Sequence, residues 1–151
     1  CVKSKAKGEK VQIRNPNATR PWQHVIEILN GYLTLAKKLN KDKKLNGQSF
    51  NFGPNNSEIV PVSRILKSIE FNWPGFKWKK TGNIIKNETR LLVLNTSKAK
   101  KILGWKTRLR VDEAVKHTIK WYREFYQNKS KKFSIIDLTK SQILSYHNKF
   151  K

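Results

Sequence analysis

Pro16 and Pro21 stand within Arg14-Asn15-Pro16-Asn17-Ala18-Thr19-Arg20-Pro21-Trp22-Gln23-His24-Val25, a stretch too polar for a core and too ordered for a linker. Each proline fixes its own φ and biases the residue before it, Asn15 or Arg20, toward extended backbone, so the loop is stiff before anything binds to it. Arg14 and Arg20 offer planar guanidinium forks that match phosphate or carboxylate oxygens two bonds at a time. On residue chemistry alone two roles stay open. The segment is a binding loop for an anionic ligand, or a proline-rich turn with solvated arginines and Trp22 as core.

The elements around it can be read from periodicity. Val2 to Lys7 ends a helix that Gly8 closes in the left-handed region. Glu9 to Arg14 alternates as a short strand, with Val11 and Ile13 on one face and Gln12 and Arg14 on the other. A helix runs from about Val25 to Leu39, with Val25, Ile28, Leu29, Tyr32, Leu33, Leu35, Ala36 and Leu39 as a wide apolar stripe that needs a partner surface. Asn40 to Gly47 is a lysine-rich loop. Gln48 to Phe52 reads as a strand and Gly53 to Asn56 as a turn; Pro61 opens a helix with Val62, Ile65, Leu66 and Ile69 at helical spacing. Phe76 to Trp78 reads as a short strand, and the all-apolar Leu91 to Leu94 as a strand buried on both faces. Asn95 or Thr96 caps a helix over 97–103 that Gly104 ends. A long helix then carries Val111, Val115, Thr118, Ile119, Tyr122 and Tyr126 inward, and Thr139 with Gln142 suggests a capping box for a short last helix. This gives an α/β chain with three parts: 1–127, a basic linker 128–132, and a helical tail 133–151.

With 33 Lys and Arg against 10 Asp and Glu, the net charge is +23. A surface of that sign attracts polyanions, so nucleic-acid binding is a competing function. Against it, the lysines are dispersed, and no helix-turn-helix, zinc-finger or RNA-recognition motif is present. No apolar run approaches the ~20 residues of a membrane span, so cytoplasm is the expected location and no membrane partner is expected. The single cysteine, Cys1, excludes an internal disulfide, and His24, His117 and His147 lack metal-ligand spacing. His24, alone at a helix start, is expected to be structural. The sequence contains no methionine, which suggests a fragment or a processed product.

The stretch 14–25 resembles the signature of CDP-glucose 4,6-dehydratases, which are extended short-chain dehydrogenase/reductases. The resemblance continues through Gly31-Tyr32-Leu33, Phe50-Asn51-Phe52-Gly53-Pro54, Ser97-Lys98-Ala99-Lys100 with Leu103-Gly104-Trp105, and Thr118-Ile119-Lys120-Trp121-Tyr122. It covers nearly all of this chain, but only the C-terminal part of the family, less than half of a complete enzyme. It implies an α/β substrate-binding portion without the nucleotide-binding half. It further implies that Gln12 and Arg14 lie near cytosine and that Arg20 binds the diphosphate, with Asn17 and Glu88 as further substrate-binding candidates. Where the family usually shows His-Glu-Ala, this chain has Asn87-Glu88-Thr89, so only Glu88 matches.

For the complete enzyme the resemblance implies a homo-oligomeric, NAD-dependent lyase that converts CDP-glucose to CDP-4-keto-6-deoxyglucose and water, for deoxysugars of surface polysaccharides such as O-antigen. The catalytic parts are missing from this chain. No Gly-x-x-Gly-x-x-Gly cluster occurs, and the residues four positions after Tyr32, Tyr122, Tyr126 and Tyr146 are Ala36, Tyr126, Ser130 and Phe150, never Lys. The chain is therefore expected to bind substrate, to hold no NAD by itself, to contain no catalytic residue and to be inactive alone. Polyanion binding and a degenerate, non-functional remnant are the alternatives.

Overall fold

Leu66 and Trp73, both almost wholly buried, mark the centre of the chain as a computed structural model shows it. The structure describes residues 1–82, 93–128 and 134–150. Glu88, Leu91, Leu92 and most of the basic linker lie outside these residues. In order, the elements are α1 (Val2–Ala6), β1 (Val11–Ile13), β2 (Thr19–Pro21), α2 (Val25–Lys41), β3 (Ile59–Pro61), α3 (Val62–Asn72), β4 (Trp78–Lys80), a π-helical turn (Ala99–Leu103), α4 (Val111–Gln127) and α5 (Ile135–Lys149). Short 3-10 turns occupy Lys43–Leu45 and Asn56–Glu58.

β1 pairs in parallel with β4, Gln12 standing in register with Lys79, and β2 pairs antiparallel with β3, Arg20 in register with Val60. Parallel neighbours need a long crossover, and β2, α2, β3 and α3 supply it. One face of α3 (Ile65, Leu66, Ile69) meets one face of α4 (Val111, Ile119), and Val11, Trp73 and Phe76 complete the core. A second cluster joins Leu45, Ala99, Leu103 and Trp105, with Leu35, Leu39, Phe50 and Phe52 packed against it.

Several expectations change. Gln48 to Phe52 forms no strand; Phe50 and Phe52 pack against the second core, and Asn51 Nδ2 donates to Asn95 O at 3.3 Å. Val93 and Leu94 lie in no strand and are exposed. The fourth strand starts at Trp78 rather than Phe76, where pairing with β1 begins. Thr139 and Gln142 do not cap α5: the helix starts earlier, Ser134 Oγ accepts from the Asp137 N–H at 3.2 Å, and both residues face α4. The apolar stripe of α2 is only half used. Leu35 and Leu39 pack inward, but Val25, Leu29, Tyr32 and Leu33 are exposed, and the buried positions are Glu27 and Gly31.

Gly31 explains part of that orientation. A Cβ there would lie 2.6 Å from Phe52 Cδ1, and the Phe52 ring is itself held edge-on by Trp105, 4.9 Å between centroids. Alanine gains about 1 kcal/mol of helix propensity, yet overpacking against a held ring costs about 1–3 kcal/mol. Gly31→Ala is therefore expected to lower stability by about 1 kcal/mol in urea unfolding; a stabilised variant would contradict the close approach.

Candidate functional site

The loop between β1 and α2 is tied down along its length. Asn15 Oδ1 accepts from the Asn17 N–H at 3.2 Å, an Asx turn over Pro16. Pro16 O accepts from Ser63 N at 2.8 Å and Ala18 O from Val62 N at 2.9 Å, so loop carbonyls satisfy the first N–H groups of α3, and Ala18 is buried. Beyond β2, Trp22 Nε1 donates to Val60 O at 3.0 Å while its ring packs on the main core. Trp22 is thus both core and anchor.

The candidate side chains sit on this frame. Gln12, in the middle of β1, and Arg14, just beyond its end, are exposed; Lys79, also exposed, stands beside Gln12. Asn17 is exposed at the Asx turn. Arg20 is half-buried in the middle of β2, and its Nη1 donates to Thr19 O at 2.7 Å, which limits where the guanidinium can swing. Gln12 and Arg14 therefore lie on and just beyond β1, and Asn17 and Arg20 lie on the loop that follows. None of the four lines the two larger cavities. One, ≈ 550 Å³, lies between Pro54–Asn56 and Asn95–Lys100. The other, ≈ 530 Å³, lies between α2, α4 and α5. Among the described residues, Gln12, Arg14 and Asn17 are exposed beside the Lys79 cation and Arg20 is half-buried.

At the far end of the loop, His24 is the N-cap of α2, its Nδ1 accepting from the Ile26 N–H at 3.2 Å, which is the structural role expected. Its ring meets His117 of α4 edge-on, 6.0 Å between centroids. Burial first, and His117 second, push the His24 pKa down from 6.5 to about 4. Burial also lowers His117, against the opposing pull of Glu113, with Lys116, Lys120 and Lys149 adding to the lowering. Both folded-state values lie below those of the free imidazoles, so the unfolded chain takes up protons first. The His24 contribution is intact above about pH 6.5 and is lost as pH falls toward about 4, and that of His117 changes in the same direction. His24→Asn keeps a capping acceptor without a titrating ring. Its stability is expected to fall less steeply than that of the unsubstituted chain between pH 6.5 and 4, and equal slopes would remove His24 as the cause.

Periodicity missed Glu27. It is fully buried on the first turn of α2, Oε1 accepting from Arg108 N at 2.9 Å and Leu109 N at 2.6 Å, Oε2 accepting from Tyr146 O–H at 3.0 Å. Burial, and then the neighbouring Glu27 carboxylate, push the Tyr146 hydroxyl pKa well above its ordinary value. Glu58 acts similarly on a smaller scale, accepting from Val111 N at 2.7 Å at the start of α4. Among the described residues, no group of three His, Cys, Asp or Glu is placed to hold a metal ion. No described helix is long and apolar enough to cross a membrane.

No protein-family model matches the chain. Over 123 residues, 81% of its length, the chain is 32% identical to CDP-glucose 4,6-dehydratase of Salmonella typhimurium and spans 34% of that protein. Solved structures share its fold. A UDP-N-acetylglucosamine 4-epimerase from Bacillus cereus matches with a TM-score of 0.62 at 17% identity, over 81% of this chain and 41% of its own. A UDP-glucose 4-epimerase from Thermotoga maritima, solved with UDP-glucose, matches at 0.59 and 22%, over 83% and 38%. A UDP-glucose-4-epimerase from Stenotrophomonas maltophila, with bound NAD and formylated UDP-arabinopyranose, matches at 0.63 and 19%, over 82% and 38%. The chain thus spans about a third of the curated relative and about two-fifths of the solved ones. With the signature at 14–25, the sequence likeness and the fold agree: the chain is similar to part of a sugar-nucleotide dehydratase and shares the fold of extended short-chain dehydrogenase/reductase epimerases over part of their length.

Proposed function

We propose that this chain forms the substrate side of a CDP-glucose 4,6-dehydratase, binding the sugar nucleotide for a lyase reaction completed elsewhere in the enzyme. The observation that carries this reading is the anchored loop: Arg20 is presented from backbone fixed by Pro16, Ala18 and Trp22 contacts, so little ordering entropy is lost when an anion arrives. In this reading Arg20 pairs with the diphosphate, Arg14 and Gln12 lie beside the cytosine ring, and Asn17 adds a polar contact. Glu88 joins the set on sequence alone. Lys79 beside Gln12 strengthens the attraction for phosphate.

The residues of this chain do not fit a dinucleotide, since the glycine cluster that cradles a pyrophosphate is absent from the sequence. The hydride acceptance and return that NAD supplies in such an enzyme is therefore assigned to no residue here. With no Tyr-x-x-x-Lys either, this chain orients the substrate and moves no proton. The same reading gives a cytoplasmic homo-oligomeric enzyme, inactive when reduced to residues 1–151, with 1–127 as the substrate portion and 133–151 as a helical tail. It also predicts nucleotide discrimination. In equilibrium dialysis at physiological salt, CDP-glucose is expected to bind saturably and at least several-fold tighter than UDP-glucose; equal affinity would remove the cytosine assignment of Gln12 and Arg14.

A further inference from the structure

Helix α5 keeps only part of its apolar surface inward, with Ile135 and Leu138 half-buried. Ile136, Ile143 and Leu144 are exposed, whereas Gln142 and Tyr146 are buried. Directional bonds help to seat it. Gln142 Nε2 donates to His117 O at 3.0 Å and Trp121 Nε1 donates to Thr139 Oγ1 at 2.8 Å, both fixing α5 to α4. The Tyr146 hydroxyl reaches past α4 to Glu27 on α2.

Glu27 follows closely on His24, the cap that ends the arginine-bearing loop. Its two oxygens are shared by donors from two separate segments, the 108–109 backbone and α5, so the first turn of α2 must sit where those donors converge. The 108–109 segment is itself pinned, Thr107 Oγ1 donating to Gly53 O at 2.7 Å and Arg108 Nη1 to Phe150 O at 2.7 Å. At its other end the loop is bonded to β3 and α3. The loop's span is thus set from both sides, and one of the two settings comes from the C-terminal helix.

We infer that Glu27 and Tyr146 are positioning residues for the sugar-nucleotide loop, the C-terminal helix fixing through them where Arg20 stands. The inference rests on the substrate-side reading proposed above.

Tyr146→Phe tests it, because the ring still packs edge-on against Phe150, 5.3 Å between centroids, and only the O–H is lost. Ile119→Val in the α3/α4 core is the control, a substitution of comparable stability cost, about 1 kcal/mol, that leaves the Glu27 and Tyr146 hydrogen bonds in place. At 25 °C, well below unfolding, Tyr146→Phe is expected to weaken CDP-glucose binding by roughly 3- to 10-fold, the effect of one hydrogen bond. It is also expected to speed amide hydrogen exchange at Trp22 and Ile26, and Ile119→Val is expected to do neither. Unchanged affinity and exchange in Tyr146→Phe, or equal losses in both variants, would overturn the inference. If the unsubstituted chain bound no CDP-glucose, the substrate reading would fail, and unchanged exchange at Trp22 in Tyr146→Phe would overturn the coupling separately.

Discussion

Replacing Glu27 with alanine is expected to remove about 3 kcal/mol of stability, roughly one for each donor its carboxylate now satisfies. The Arg108 and Leu109 N–H groups and the Tyr146 O–H would be left facing a cavity, and a buried donor without an acceptor loses its solvation with nothing in return. Removing a buried charge returns part of that loss, which holds the figure at about 3 rather than the upper end of the range. Glu27→Gln separates the two effects. Its amide oxygen can still accept from both N–H groups, and its NH₂ can donate to the Tyr146 oxygen, so it is expected to lose less than half as much. Urea unfolding monitored by tryptophan fluorescence gives both values. A Glu27→Ala midpoint within error of the unsubstituted chain would mean that the three hydrogen bonds contribute nothing net.

Arg20→Ala is expected to act on binding more than on folding. The guanidinium is half-exposed and its bond to the Thr19 carbonyl is local, so the loss of CDP-glucose affinity is expected to exceed the loss of stability. If Arg20 pairs with the diphosphate, losing a charge-assisted interaction of about 1.5–3 kcal/mol weakens CDP-glucose roughly 10- to 100-fold. Arg20→Lys restores the charge without the planar fork and should recover only part of the affinity. Alanine and lysine variants that bind equally well would place the diphosphate elsewhere.

These two residues also mark what the sequence could and could not reveal. The stiffness of the loop that carries Arg20 was legible because prolines constrain backbone locally, and the structure finds that loop anchored at Pro16, Ala18 and Trp22. Helix ends were legible for the same local reason: Gly8 and Gly104 take φ of 75° and 69° where left-handed caps were expected, and Pro61 precedes α3. The face of α3 was clear as well, since Ile65, Leu66 and Ile69 had no polar competitor. Glu27 was not legible, because an acid at the edge of an apolar stripe reads as a solvent-facing position. The available signal was Gly31, four residues on and on the same helix face, which marks a close approach. The exposed stripe of α2, the unpaired Gln48–Phe52 and the exposed Val93 and Leu94 share another cause. Apolar pattern reports that a surface needs cover, and says nothing of which residues provide it. α5 was harder to read because Gln142 is buried among its inward residues while Ile136, Ile143 and Leu144 are exposed.

Calorimetric titration of this chain with CDP-glucose, alongside a short DNA duplex, at low and moderate salt decides whether the anchored arginine loop binds a sugar nucleotide. Saturable one-to-one binding of CDP-glucose is expected, surviving moderate salt and lost in Arg20→Ala, with any DNA binding falling steeply as salt rises. No CDP-glucose binding together with strong DNA binding that Arg20→Ala leaves unchanged would contradict it, and would assign the +23 charge, not the loop, as the source of whatever this chain binds.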